Sequence, residues 1–269
     1  MTKLFINLRA AAQGLFFLLV LFASSPVPAE LFGEDFADGI LDDTRWQLDR
    51  KKGCAMEVVN ERFRTTPASL KIHANPGTRC EILPRIYETL WAKQFREPYG
   101  EIRWYGFSVY LPEGSPFTDE KNEVVAQWHS SRDFFLGEDG GRGPPLALRI
   151  VDGRWRITYG WDKDFVSTPG PKAIWPLWSG VVETGRWIDW LFRVRWSYED
   201  DGMIEIWKDG VKIVSHNGPN AYNDIRGNYI KLGSYHPRVE RVLYLDAIRI
   251  GDNTETLETM ALKPGSNRN

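Results

Sequence analysis

Residues 146–160, LALRIVDGRWRITYG, are two runs of alternating apolar and polar residues joined at Asp152-Gly153. A period of two belongs to a strand with one buried face, and Asp-Gly between two such runs is a hairpin turn. The texture recurs in ASLKIHA, GEIRWYGFSVYLP, NEVVAQWHS, RWIDWLFRVRWS, GMIEIWKDGVKIVS, NYIKLGSY and RVLYLDAIRIG. A second hairpin signal stands at Asp209-Gly210, and Asp201-Gly202 marks a further turn. No strong helix pattern competes. Many short strands without an internal repeat or linker imply one all-β domain, a β-sandwich or jelly roll.

The first 29 residues stand apart. Lys3 and Arg9 precede the apolar run GLFFLLVLFASS, and PVPA ends in a small-residue cleavage site after Ala29. This is the pattern of a secretory signal, too short to span a bilayer comfortably. No other membrane segment follows. The expected division is a signal peptide at 1–29, a domain at 30–257 and a tail at 258–269. A secreted or periplasmic monomer follows from it. Cys54 and Cys80 are the only cysteines. In an oxidising compartment they are expected to pair. No Cys/His cluster has zinc-ligand spacing.

The formal net charge of −2 argues against nonspecific nucleic-acid binding but leaves room for a local basic groove. Twelve Trp imply a core rich in rings, with a few left over for stacking on sugars. Two stretches break the strand rhythm. FFLGEDGGRGPP reads as a mobile loop, and DFVSTPGPKAIWPLWSG as a surface connection or a groove wall.

Three strands carry polar rows opposite their core faces. In NYIKLGSYHP, Ile230, Leu232 and Ser234 share one face, and Tyr229, Lys231, Gly233 and Tyr235 the other. In NEVVAQWHS, Val124, Ala126 and Trp128 face the core, and Gln127 and His129 face away. If GTRCEILPR is extended, Arg79 and Glu81 share a face opposite Cys80 and Ile82. Each row alone reads as an ordinary solvated face or structural ion pair. Together, Arg, Gln, His, Lys and Tyr suit an anionic substrate with a proton to move.

RCEI, QWH and YIKLGSY, in that order, resemble the Arg-x-Glu-Leu, Gln-x-His and Tyr-x-Lys-x-Gly-x-Tyr segments of jelly-roll alginate lyases. YGFSVYLP, TGRWIDWLFRVRWS and IEIWKDG are similar to the heparin lyase I-like and glucuronan lyase families. The resemblance spans most of the chain from FGEDF to LDAIRIGD. It implies a concanavalin-like β-jelly roll with a concave substrate groove, acting by β-elimination on a uronic-acid-containing polysaccharide, possibly glucuronan. Arg79, Gln127 and His129 match positions that bind and neutralise the substrate carboxylate. His129 or Tyr235 matches the base for the C5 proton, and Tyr235 the donor to the leaving oxygen. Lys231 and Tyr229 match substrate contacts, and Arg85 matches a second Arg only loosely, since it follows Pro84. Ile82 in place of Leu, and Cys80 inside the motif, argue against alginate. The chemistry requires no cofactor, and a structural calcium is compatible with such folds.

The residue types fit that chemistry. Abstracting a proton beside an ionised carboxylate builds a second negative charge, which cationic and hydrogen-bonding groups must stabilise. A base must sit within reach. A free phenol titrates at about 10, so Tyr235 would need cations nearby to act as base. Gly233 would leave space for a sugar ring. The competing reading is a noncatalytic carbohydrate-binding jelly roll, which needs no such set. A glycoside hydrolase needs two positioned carboxylates, and no Glu-x-Asp-x-x-Glu strand is present.

Overall fold

The computed structural model describes residues 30–86, 97–117, 122–138, 142–167 and 174–262. The expected signal segment and residues 263–269 of the expected tail lie outside these. Fifteen strands run in chain order: β1 (Glu30–Glu34), β2 (Trp46–Arg50), β3 (Cys54–Val59), β4 (Ser69–Ala74), β5 (Arg79–Pro84), β6 (Ile102–Tyr110), β7 (Glu123–His129), β8 (Leu146–Val151), β9 (Arg154–Tyr159), β10 (Trp175–Val181), β11 (Trp187–Arg195), β12 (Met203–Lys208), β13 (Val211–Asn217), β14 (Tyr229–Tyr235) and β15 (Arg241–Gly251). They form two antiparallel sheets. One is ordered β13-β12-β11-β6-β15-β4-β3, with β1 also on β15; the other is ordered β10-β9-β8-β7-β14-β5-β2. The jelly roll is therefore present, and the two Asp-Gly hairpins join β8 to β9 and β12 to β13. Asp152, Gly153, Asp209 and Gly210 all have positive φ (50°, 64°, 49° and 77°), the left-handed pair that a two-residue hairpin turn requires.

Alternate residues of both sheets meet in one core. Trp128 on β7 packs edge-on against Tyr105 of the opposite sheet, with ring centroids 5.0 Å apart, and its ring lies 4.7 Å from that of Phe192. Trp155 and Trp190 make a second cross-sheet contact at 5.4 Å. Among the described residues eight Trp are buried, so the aromatic richness is mainly core packing. Beneath β7 and β14, Arg241 donates to both oxygens of buried Glu123, and the Ser234 hydroxyl donates to Glu123 as well. This holds the two strands from the inside.

Cys54 and Cys80 are bonded, with a Cα–Cα distance of 5.3 Å. The bond joins β3 of one sheet to β5 of the other, next to Arg79 and Glu81. Closing a loop of this length is worth about 3 kcal/mol in the chain-entropy picture.

Four expectations change. A bulge in β7 shifts the register between Val124 and Ala126. Val125, rather than Val124, then joins Ala126 and Trp128 in the core, because a bulge breaks strict alternation. The tail does not begin at 258. Thr256 caps a helical turn, α1 (Leu257–Met260), and Met260 is buried with Trp104, Leu191 and Trp207. Burial of that side chain extends the folded chain to residue 262. The stretch expected to be a mobile loop is pinned at Glu138, whose carboxylate accepts from the backbone N–H groups of Asp133 and Ser167. The second loop-like stretch becomes edge strand β10 in its latter part, with a bulge between Pro176 and Trp178. Pro is tolerated there because an edge strand can spare a donor.

Candidate active site

The outward positions of four neighbouring strands meet on the face of the seven-stranded sheet turned away from the core. Leu48, Cys80, Ile82, Ile230, Leu232, Ala126 and Trp128 point inward or pack on the core. Their alternates Asp49, Arg79, Glu81, Tyr229, Lys231, Tyr235, Gln127 and His129 therefore point out. β14 lies between β5 and β7, placing Tyr235 opposite Arg79, Lys231 opposite Gln127 and Tyr229 opposite His129.

The side chains form one network. Arg79 Nη1 donates to Asp49 Oδ2 at 2.9 Å, and Lys231 Nζ donates to the same oxygen at 2.6 Å. Arg79 Nε lies 3.5 Å from Glu81 Oε2, and the Gln127 amide donates to Glu81 Oε1. The Arg79 guanidinium stacks over the Tyr235 ring at 4.1 Å. At the other end, the His129 and Tyr229 ring centroids are 5.3 Å apart, and Lys231 Nζ is 5.6 Å from the Tyr229 ring.

Charge follows from these contacts. Burial raises the Asp49 carboxyl, but the hydrogen bonds and charges of Lys231 and Arg79 outweigh it and hold Asp49 below its usual range. Burial pushes Glu81 up, against Lys231, Gln127 and Arg79. Burial, together with the positive charges of Lys231, Arg79 and Arg132, lowers His129 to about 4. The imidazole is therefore neutral at ordinary pH. Its Nδ1 is 2.7 Å from the Ser130 carbonyl, a partner that only an N–H can satisfy. Nε2 then carries the lone pair. A neutral ring brings no charge to a carboxylate, and its Nε2 lone pair can accept a proton.

A profile of the polysaccharide lyase family matches residues 42–249, most of the chain. This chain belongs to that family. It is a lyase acting on polysaccharide. Its fold is similar to that of the endo-β-1,4-glucuronan lyase of the fungus Trichoderma reesei, with a TM-score of 0.69 and 18% identity over 86% of this chain and 98% of that one. The cellulose-induced protein Cip1 is similar at a TM-score of 0.54 and 15% identity, covering 82% of this chain and 96% of that one. A carbohydrate esterase of bacteriophage phi24B reaches 0.54 at 11% identity, covering 84% and 100%. No curated protein matches the sequence.

Within the lyase, Asp49 was not legible beforehand. WQLDR carries no motif, and Asp49 joins the site only because β2 pairs with β5. Arg85 is not brought into the network. It follows β5, its backbone N–H donates to Arg45 O, and it lines a cleft with Glu30, Phe32 and Arg45. The pairing of β5 with β14 ends at Ile82–Leu232, short of Arg85. Gly233 also has a different role. It has φ 145°, and a Cβ there would stand 2.1 Å from the Cys80 carbonyl oxygen. The glycine admits the neighbouring strand, not a sugar.

Among the described residues, three buried carboxylates, Asp133, Glu138 and Asp224, have oxygens within 4.8 Å of one another. Arg142 already bridges Glu138 at 3.2 Å and Asp224 at 2.6 Å. Asp133 accepts from the Ile225 backbone N–H, and Glu138 from those of Asp133 and Ser167. The arrangement is a clamp on three loops, with Arg142 supplying counter-charge to two of the three carboxylates.

Proposed function

We propose that this lyase cleaves a uronate-containing polysaccharide by β-elimination on the outer face of the seven-stranded sheet. The observation that carries the reading is the single network joining Arg79, Gln127, Lys231 and Tyr235, with neutral His129 at its edge. His129 Nε2 takes the C5 proton, and the C5–H electron pair forms the C4–C5 double bond. The C4–O bond breaks, and the Tyr235 hydroxyl protonates the leaving oxygen. Exchange with solvent restores both groups, and no water is consumed. Arg79 and Gln127 stabilise the charge that builds on the carboxylate. Lys231 and Tyr229 hold the sugar.

A glucuronate polymer such as β-1,4-glucuronan is the substrate that the likeness to the fungal glucuronan lyase favours. Secretion as a monomer fits the Cys54–Cys80 bond and the apolar N-terminal segment. A dense cluster of cations suited to heavily sulfated chains is not visible in the sequence. A panel of polyuronates read by ultraviolet absorbance should give unsaturated product from glucuronan, well above that from heparin. Greater activity on heparin would reverse the substrate assignment. A new reducing end without the chromophore would indicate hydrolysis, and no product from any polymer would favour a binding module.

The depressed His129 predicts the pH dependence. The neutral ring is the active form, so kcat/KM should stay flat from neutrality to about pH 5 and fall as pH drops through about 4. An ordinary imidazole base would place that limb near 6.5. Circular dichroism at each pH separates loss of rate from unfolding. A limb near 6.5 in folded protein would remove His129 as the base with the environment described.

A further inference from the structure

The catalytic network carries no spare positive charge. Arg79 and Lys231 face Asp49 and Glu81, two cations against two carboxylates. A polyuronate brings further anions, so other cations should meet them on the same sheet face.

Arg149 is such a group. On β8, Leu146, Leu148 and Ile150 point into the core, so Arg149 points outward. It is nonetheless only 8% exposed. Its Nε donates to the Thr158 hydroxyl at 3.1 Å, and among the described residues no carboxylate pairs with it. Burial pulls its guanidinium down to about 10, with no anion among the described residues to offset it. Directly opposite on β9 stands Arg156, exposed and also without a carboxylate among the described residues. Two cations facing each other across a strand pair repel, and a buried charge without a partner costs stability. An anion bound beside Arg149 would offset its burial, the one cause of its shift.

The register gives the place. Tyr235, Val124 and Arg149 lie side by side on β14, β7 and β8. Arg149 is two strand spacings from Tyr235, roughly 10 Å.

We propose that Arg149, with Arg156 opposite, forms an anion subsite that binds the carboxylate of a uronate unit flanking the one cleaved. The inference rests on the lyase reading above for its substrate, and its test is separable from that reading. Arg149→Met should raise KM for β-1,4-glucuronan by about tenfold, the worth of a charge-assisted hydrogen bond, with kcat within about twofold. Arg149→Lys should recover part of the loss. Arg156→Gln, at an exposed position, should raise KM about threefold and keeps the test alive if Arg149→Met does not fold. Thermal melting supplies the readout that a structural Arg would not give. Replacing an uncompensated buried charge should leave Tm unchanged or raise it.

Calorimetric titration in the Tyr235→Phe background, expected to turn the polymer over at least about a hundredfold more slowly, should show the same weakening for glucuronan. Affinity for cello-oligosaccharide, the same β-1,4 backbone without carboxylates, should not change. Loss of ultraviolet product in wild type with glucuronan binding still sensitive to Arg149 would sink the elimination reading and keep the subsite. Unchanged KM and affinity in Arg149→Met or Arg156→Gln would overturn the subsite. So would a lower Tm with KM intact, or wild-type affinity for glucuronan no greater than for cello-oligosaccharide.

Discussion

Tyr235→Phe should melt like the wild type and turn over a polyuronate at least about a hundredfold more slowly, the lower end of what one positioned acid–base group contributes. The substitution removes one hydroxyl and keeps the ring. The Arg79 guanidinium, 4.1 Å over that ring, retains its stacking partner. Because the hydroxyl acts on the leaving oxygen as the C4–O bond breaks, the loss should fall on kcat, with KM little changed. Arg79→Ala should behave differently. It removes one of the two partners of Asp49 and the stack on Tyr235, so both binding and turnover should suffer. Ultraviolet product formation and thermal melting of each variant make the comparison. A Tyr235→Phe protein with a normal melt and close to wild-type turnover would show that the row on β14 is not the catalytic floor.

Gly233→Ala should destabilise the protein by about 3 kcal/mol, combining backbone strain at positive φ with overpacking. Gly233 sits at φ 145°, a conformation that L side chains rarely adopt. An added Cβ would stand 2.1 Å from Cys80 O and 2.9 Å from Glu81 Cα, both backbone atoms that no rotamer change can move. Relief requires β5 and β14 to separate where Tyr235 meets Arg79 and Gly233 meets Glu81. In a domain of this size the expected fall in Tm is about 10 °C, accompanied by loss of turnover. A melt within about 2 °C of wild type would mean that the strands do not approach so closely.

The two predictions draw on different kinds of information. Tyr235 could be singled out from YIKLGSY, because period-two alternation says which residues share a face. The same logic assigned His129 and Gln127 to one face of β7 and Arg79 and Glu81 to one face of β5. Gly233 could be noticed but not understood, since nothing in the segment says what lies beside it. Alternation also failed at Val124 and Val125, where a bulge costs no residue type that would announce it. Strand β10 was obscured by Pro176. Met260 was assigned to a tail because a single helical turn has too few residues to show a period.

Most of the strands, the two Asp-Gly hairpins, most of the inward and outward faces and the pairing of the only two cysteines were determined by sequence alone, because each depends on local geometry or simple chemistry. Which strands lie side by side was decided only by tertiary structure. β5 meets β14 some 150 residues further along the chain, and β2 adds Asp49 from the other side. Those neighbours follow from how two sheets of given lengths cover each other's apolar faces, a property of the whole chain. That pairing neutralises Arg79 and Lys231 with Asp49, buries His129 until it stays uncharged, and leaves Arg149 without a carboxylate partner among the described residues.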